Sequence, residues 1–106
     1  MNNCTETLQG YVVDIICIRK YPQNEMVERA RAHTRDCALA GHCAESGYGL
    51  IDEEGRVVLL DPKATLQVLE KIRNSSRNRG IKLQVKREMQ TGGEMGTIEV
   101  KEVQQY

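Results

Sequence analysis

The sequence has no tryptophan and no phenylalanine, and its only aromatic residues are four tyrosines. The single core that a chain of 106 residues can bury must therefore consist mainly of valine, isoleucine and leucine. The sequence also has no excess of positive or negative charge, because fifteen basic residues balance fifteen acidic ones. This balance argues against a dedicated nucleic-acid-binding or membrane-surface protein.

No apolar run approaches the roughly 20 residues of a membrane-spanning helix. No basic and apolar signal segment is visible at the N-terminus either. The expected location is therefore left open. It is periplasmic or secreted if a leader has been removed, and cytoplasmic otherwise.

Four cysteines are present, which is many for a cytosolic chain of this size unless they bind metal or do redox work. Both histidines and two of the cysteines lie between positions 33 and 43. His33 and Cys37 are four residues apart, so in a helix they would project from one face. A glycine precedes Cys43 and lets the chain turn back, and Cys17 lies upstream as a fourth donor. The pattern predicts a Cys3His metal site formed by Cys17, His33, Cys37 and Cys43.

Zinc is the expected ion and copper is the alternative, although the spacing matches no standard zinc finger. Other interpretations remain open. The first is a disulfide, either between Cys37 and Cys43 or from Cys17 to one of them. The others are buried reduced thiols and a catalytic pair of Cys37 with His33. A disulfide leaves His33 unexplained, whereas a metal uses all four residues, and the metal site is therefore ranked first.

Asp14 is the one polar residue on an otherwise apolar face of the first predicted strand. One interpretation is that its carboxylate caps or hydrogen-bonds the loop that holds the cysteines, or orients His33 through the ring nitrogen that is not bound to metal. The other is that it faces water at a strand edge.

Apolar alternation and turn residues predict the secondary structure. A long strand is expected over 8–18 and a helix over about 25–35. A hairpin is expected over 47–60, and a helix over 61–74 whose Leu66, Leu69 and Ile72 face the core. Two closing strands are expected over 81–86 and 97–101. Residues 1–6 are expected to be a flexible tail, and residues 7–106 a single domain.

Five strands with a helix between the third and fourth predict a mainly β fold with two helices, a five-stranded OB-like Greek-key barrel. The alternative is an open α+β sheet with two helices on one side. OB-type barrels often bind single-stranded nucleic acid, and residues 71–87 contain seven basic residues and no acidic one. However, the later strands have no aromatic residue for base stacking, so nucleic acid is not the expected partner.

Three segments of the sequence form a recognisable signature. They are Gly10-Tyr-Val-Val-Asp14-x-x-Cys17, His33-Thr-x-x-Cys37-Ala-Leu and Cys43-Ala-x-Ser-Gly-Tyr-Gly49. With this signature the chain resembles a family of small, mostly exported bacterial proteins of unassigned function. The resemblance covers nearly the whole chain and implies export, but it brings no activity with it.

The sequence thus predicts a small, non-enzymatic metal-binding domain. The alternative is a cell-envelope thiol redox or copper-delivery protein that uses the same cysteines. An accessible cysteine of depressed pKa would favour this alternative, whereas buried ligands would favour structural zinc.

Overall fold

The computed structural model describes residues 5–105. The strands are β1 (Thr5–Asp14), β2 (Tyr48–Ile51), β3 (Val57–Leu59), β4 (Lys82–Met89) and β5 (Met95–Glu102). The α-helices are α1 (Ile15–Lys20), α2 (Met26–Ala32), α3 (Arg35–Leu39), α4 (Gly41–Ser46) and α5 (Thr65–Asn74). Single 3-10 turns at Gln23–Glu25 and Pro62–Ala64 lead into α2 and α5. In this part of the chain there are five α-helices, whereas two were expected.

The five strands form one antiparallel sheet in the order β3-β2-β1-β4-β5. The sheet is open, so the closed OB-like barrel was the wrong expectation and the alternative of an open α+β sheet is confirmed. β1 is the central strand and pairs with β2 and β4. β3, with three residues, and β5 are the two edge strands, and a closed barrel would require them to pair with each other, which they do not.

The first strand ends earlier than its β-branched sequence predicts. It stops at Asp14, whose side chain accepts a hydrogen bond from the backbone N–H of Cys17 at 3.0 Å. This contact is an N-cap, and it allows the apolar run Ile15–Lys20 to continue as a helix. The expected strand over 15–18 is therefore wrong. The end of a central strand and the start of a helix meet at a buried carboxylate.

The sheet carries a core on each face because side chains alternate along the strands. On one face, Val12 and Leu83 belong to the same cluster as Val68 and Ile72 of α5. On the other face, Val13 of β1 clusters with residues of α1 and α2, namely Ile18, Met26 and Ala30. The helices therefore lie on both sides of the sheet and not on one side only.

The buried face of α5 differs from the expected one. Ala64, Val68 and Ile72 are buried, whereas Leu69 is half-buried and Leu66 is 78 % exposed. The buried residues are four apart and share one helical face, while Leu66 lies two positions from Val68 and projects to the opposite side. The prediction was thus right for Ile72 and wrong for Leu66. Among the residues from 5 to 105, no helix is long and apolar enough to cross a membrane.

Candidate metal centre

Asp14 lies at the base of the candidate centre and has no exposed surface. One carboxylate oxygen, Oδ2, accepts the Cys17 N–H. The other, Oδ1, is 2.8 Å from Nε2 of His33. The expected contact with His33 is therefore present, and the alternative of a water-facing aspartate is wrong. The N-cap aims this carboxylate at the histidine.

His33 occupies the break between α2 and α3 and is also buried. Its carbonyl oxygen accepts the Gly80 N–H at 3.0 Å, and the Arg35 N–H donates to the carbonyl of Asn78 at 2.8 Å. Thr34 and Arg79 form an isolated β-bridge between these two bonds. Residues 33–35 are thus fastened to residues 78–80, and this attachment sets the position of the imidazole.

Cys37 lies in α3, a new helix that begins after Thr34. The Thr34 hydroxyl oxygen accepts the Cys37 N–H at 3.1 Å and caps this helix. Tyr48 of β2 donates its hydroxyl hydrogen to the Ala38 carbonyl at 2.6 Å and holds α3 against the sheet. His33 directly follows α2, whereas Cys37 lies in the next helix, α3. The expectation that one helical face carries both residues is therefore wrong.

The two half-buried thiols of the centre meet directly. The sulfur atoms of Cys17 and Cys37 are 3.8 Å apart. A disulfide bond is far shorter, at about 2.05 Å. The observed distance equals the separation, about 3.8 Å, of two thiolates that each lie about 2.3 Å from a tetrahedral zinc ion. The pair therefore fits two corners of a zinc site without rearrangement.

Four side chains can offer ligand atoms that all lie within 4.8 Å of one another. They are Asp14, Cys17, His33 and Cys37. Three of the four predicted ligands thus converge, and Asp14 lies within the same distance of them. Whether its carboxylate binds the ion or orients His33 stays a prediction. The donors come from the end of β1, from α1 and from the two ends of the 33–37 segment, so the sequence brings them together only through the fold.

Cys43 lies in α4, is buried, and is not one of these four. Burial raises the pKa of the Cys43 thiol to about 11, and the nearby Asp14 carboxylate and Cys37 contribute to this shift. Its role as a ligand stays a prediction. His42 is exposed, as expected for a surface histidine, and Cys4 lies outside the described residues.

The electrostatics of the centre couple a carboxylate to a protonatable ring. Burial by itself would raise the pKa of Asp14, but the hydrogen bonds from His33 and from the Cys17 amide, with the charge of His33, lower it to about 2. Burial, the Asp14 charge and the contact with Cys37 raise the pKa of the Cys17 thiol to about 12. Without a bound metal ion, therefore, neither Cys17 nor Cys43 has the depressed pKa expected of a reactive redox thiol.

The basic stretch of residues 71–87 is partly neutralised by acidic neighbours. The Lys82 ammonium is 3.3 Å from a carboxylate oxygen of Glu53, and Arg87 pairs with Glu6 on the adjacent strand. Lys82 and Arg87 belong to strand β4, where a nucleic acid would have to meet free positive charge. The expectation that nucleic acid is not the partner stays a prediction.

Comparisons with protein-family models, with curated proteins and with solved structures find no match to this chain. Functional inference therefore proceeds from the geometry of the centre. That geometry offers two sulfurs, one imidazole nitrogen and one carboxylate oxygen within the reach of a single ion.

Proposed function

We propose that this protein is a small metal-binding domain that holds one zinc ion with Asp14, Cys17, His33 and Cys37. The observation that carries the proposal is the convergence of these four ligand atoms within 4.8 Å of one another. Two thiolates, an imidazole and a carboxylate are all established zinc ligands, and four of them complete a tetrahedron.

Zinc is favoured over harder ions because two of the donors are sulfur. Calcium and magnesium prefer oxygen ligands, and this centre offers one carboxylate. The site also joins the end of β1 to the segment between α2 and α3, so an ion there would cross-link three elements. The role proposed is therefore structural, with metal binding contributing directly to folding free energy.

The fourth ligand can be Asp14, as the distances favour, or Cys43, as the sequence pattern favours. Asp14→Asn and Cys43→Ser separate these alternatives. If Asp14 is the ligand, Asp14→Asn should weaken zinc binding at least tenfold and Cys43→Ser should change it little. The opposite result would assign the position to Cys43.

The decisive experiment is metal analysis of protein purified without added metal, followed by zinc titration in the presence of a competing chelator. We expect one zinc per chain and loss of binding in Cys17→Ser, Cys37→Ser and His33→Ala. The matched control is His42→Ala, which removes the exposed histidine and should bind zinc normally. Unchanged binding in the Cys17 and Cys37 variants, or no binding by the unaltered chain, would refute the proposal.

A second candidate function is copper delivery or thiol redox work in the cell envelope, where the family resemblance would place the protein. The observation that favours it is the half-buried pair of sulfurs at 3.8 Å, which also suits a soft monovalent ion. Competition between Cu(I) and Zn(II) for the same sites tests the copper alternative, and cell fractionation tests the location. If the protein binds zinc in preference to Cu(I) when chelators hold the two free ion concentrations equal, copper is excluded as the cargo.

A further inference from the structure

The sulfurs of Cys17 and Cys37 face each other at 3.8 Å, and both residues are half-buried rather than sealed. Cys17 lies in α1 and Cys37 in α3, two short helices that begin at capped turns. A relative shift of about 2 Å would bring the two sulfurs to the length of a disulfide bond, about 2.05 Å. The same two atoms can therefore hold a metal ion or bond to each other, but they cannot do both.

We propose that mild oxidation joins Cys17 to Cys37 and releases the metal, so that the site switches between a metal-bound dithiolate and a metal-free disulfide. This inference rests on the proposed metal-binding function. With hydrogen peroxide as the oxidant, the two thiolates lose two electrons and form the S–S bond. The O–O bond breaks, two protons are taken up, and two water molecules form. The ion leaves because two of its four ligands are lost.

The disulfide state leaves the buried polar groups of the centre hydrogen-bonded. Asp14 keeps its 2.8 Å contact with His33 and its bond from the Cys17 amide, since neither contact uses a sulfur. The segment 33–35 also stays fastened to residues 78–80 by backbone bonds. Because these buried polar groups remain satisfied, loss of the ion need not unfold the domain. The two states can then interconvert within one fold.

Cys43 is the competing partner for Cys37, and the structure disfavours it. It is 4 % exposed, so an oxidant reaches it less readily than the two half-buried thiols. Cys43→Ser therefore tests this competition, because it removes the neighbouring thiol and leaves the facing sulfurs of Cys17 and Cys37 in place. The matched control is His42→Ala, because His42 is exposed and is not a proposed ligand.

The experiment uses the full chain loaded with zinc and treated with increasing hydrogen peroxide. Zinc release is followed with a chromogenic chelator, and the disulfide is mapped by mass spectrometry after alkylation of free thiols. We expect one zinc released for each Cys17–Cys37 disulfide, the same result in His42→Ala, and recovery of zinc binding after reduction with a dithiol. In Cys43→Ser the Cys17–Cys37 disulfide should still form. Circular dichroism should show that the oxidised protein remains folded.

Three outcomes would overturn the switch. They are zinc retained after the disulfide has formed, release accompanied by a Cys37–Cys43 bridge or by sulfinic acids, and release that reduction does not reverse. If zinc binds but peroxide produces one of these outcomes, the switch fails and the metal site stands. If the reduced protein binds no zinc at all, both proposals fail together, and the two failures are thus distinguishable.

Discussion

Asp14 and His33 are joined by a hydrogen bond, with Oδ1 2.8 Å from Nε2 and side chains that are 0 % and 4 % exposed. The pair links the last residue of the central strand to the break between α2 and α3. It therefore places an oxygen donor and a nitrogen donor beside the two sulfurs before any ion binds. Such preorganisation reduces the ordering that metal binding would require.

Asp14 should control the stability of the metal-free protein in acid. Its pKa of about 2 lies below the ordinary value of 3.8, so the stability that it contributes is complete above about pH 4 and is lost as the pH falls toward 2. The shift corresponds to about 2 kcal/mol. We expect Asp14→Asn to lower the free energy of unfolding at pH 7 by about this amount and to flatten its decline between pH 4 and 2.

The measurement is chemical unfolding at pH 2 to 7 with a chelator present. Glu70→Gln is the matched control, because Glu70 lies exposed on α5, away from the centre. If the free energy of unfolding declines between pH 4 and 2 in Asp14→Asn as it does in the unaltered protein, the role of this carboxylate is contradicted.

Zinc binding should release protons and weaken steeply in acid. Coordination requires thiolates, and burial raises the pKa of Cys17 to about 12 in the metal-free centre. Displacing the thiol proton of Cys17 should by itself change the zinc affinity about tenfold per pH unit. Calorimetry in buffers of different ionisation enthalpy should count at least one proton released for each ion. A proton count near zero would exclude the Cys17 thiolate as a ligand.

Gly80 should be needed for the position of His33. It has φ of +61°, and a Cβ at this position would lie 2.7 Å from the carbonyl oxygen of Arg31. We expect Gly80→Ala to destabilise the protein by about 1–3 kcal/mol and to reduce zinc affinity, because the Gly80 N–H holds the His33 carbonyl. Gly92→Ala is the control. Gly92 also has a positive φ, but a Cβ there would have no atom within 4 Å, so zinc affinity should not change.

The two faces of α5 should respond differently to truncation. Ile72 is fully buried, so Ile72→Ala should cost about 2–5 kcal/mol in thermal or chemical unfolding. Leu66 is 78 % exposed, and Leu66→Ala should stay within about 0.5 kcal/mol. Equal losses in the two variants would contradict the observed orientation of the helix.

Much of the sheet could be predicted because its signals are local. The hairpin of β2 and β3 follows from apolar runs around a turn that contains Gly55, and β4 follows from alternation at Ile81, Leu83 and Val85. The openness of the sheet could not be predicted in this way. It depends on which strands share edges with β1, and such pairing joins distant residues.

The site was predictable in its residue types and less so in its geometry. Cysteine and histidine are recognisable as metal ligands from their chemistry, whereas Asp14 was predicted only to cap or hydrogen-bond the cysteine loop or to orient His33. The missed signal was the spacing of Asp14 and Cys17, which is that of an N-cap and the helix residue whose N–H it accepts. The run after Asp14 is rich in isoleucine and therefore resembles a strand, so local propensity concealed the helix that this cap begins.

The central position of β1 has a consequence for the order of folding. Leu8 pairs with Val85, so the middle of the sheet joins the first strand to one that is synthesised much later. Such non-local pairing is slow because a long loop must close first. Asp14, Cys17, His33 and Cys37 all precede β4 in the chain and leave the ribosome before it. The loop between Asp14 and Cys37 is much shorter, so these residues can approach one another before β4 pairs with β1. The bonds from residues 33–35 to residues 78–80 can form only later, together with the strand that follows them.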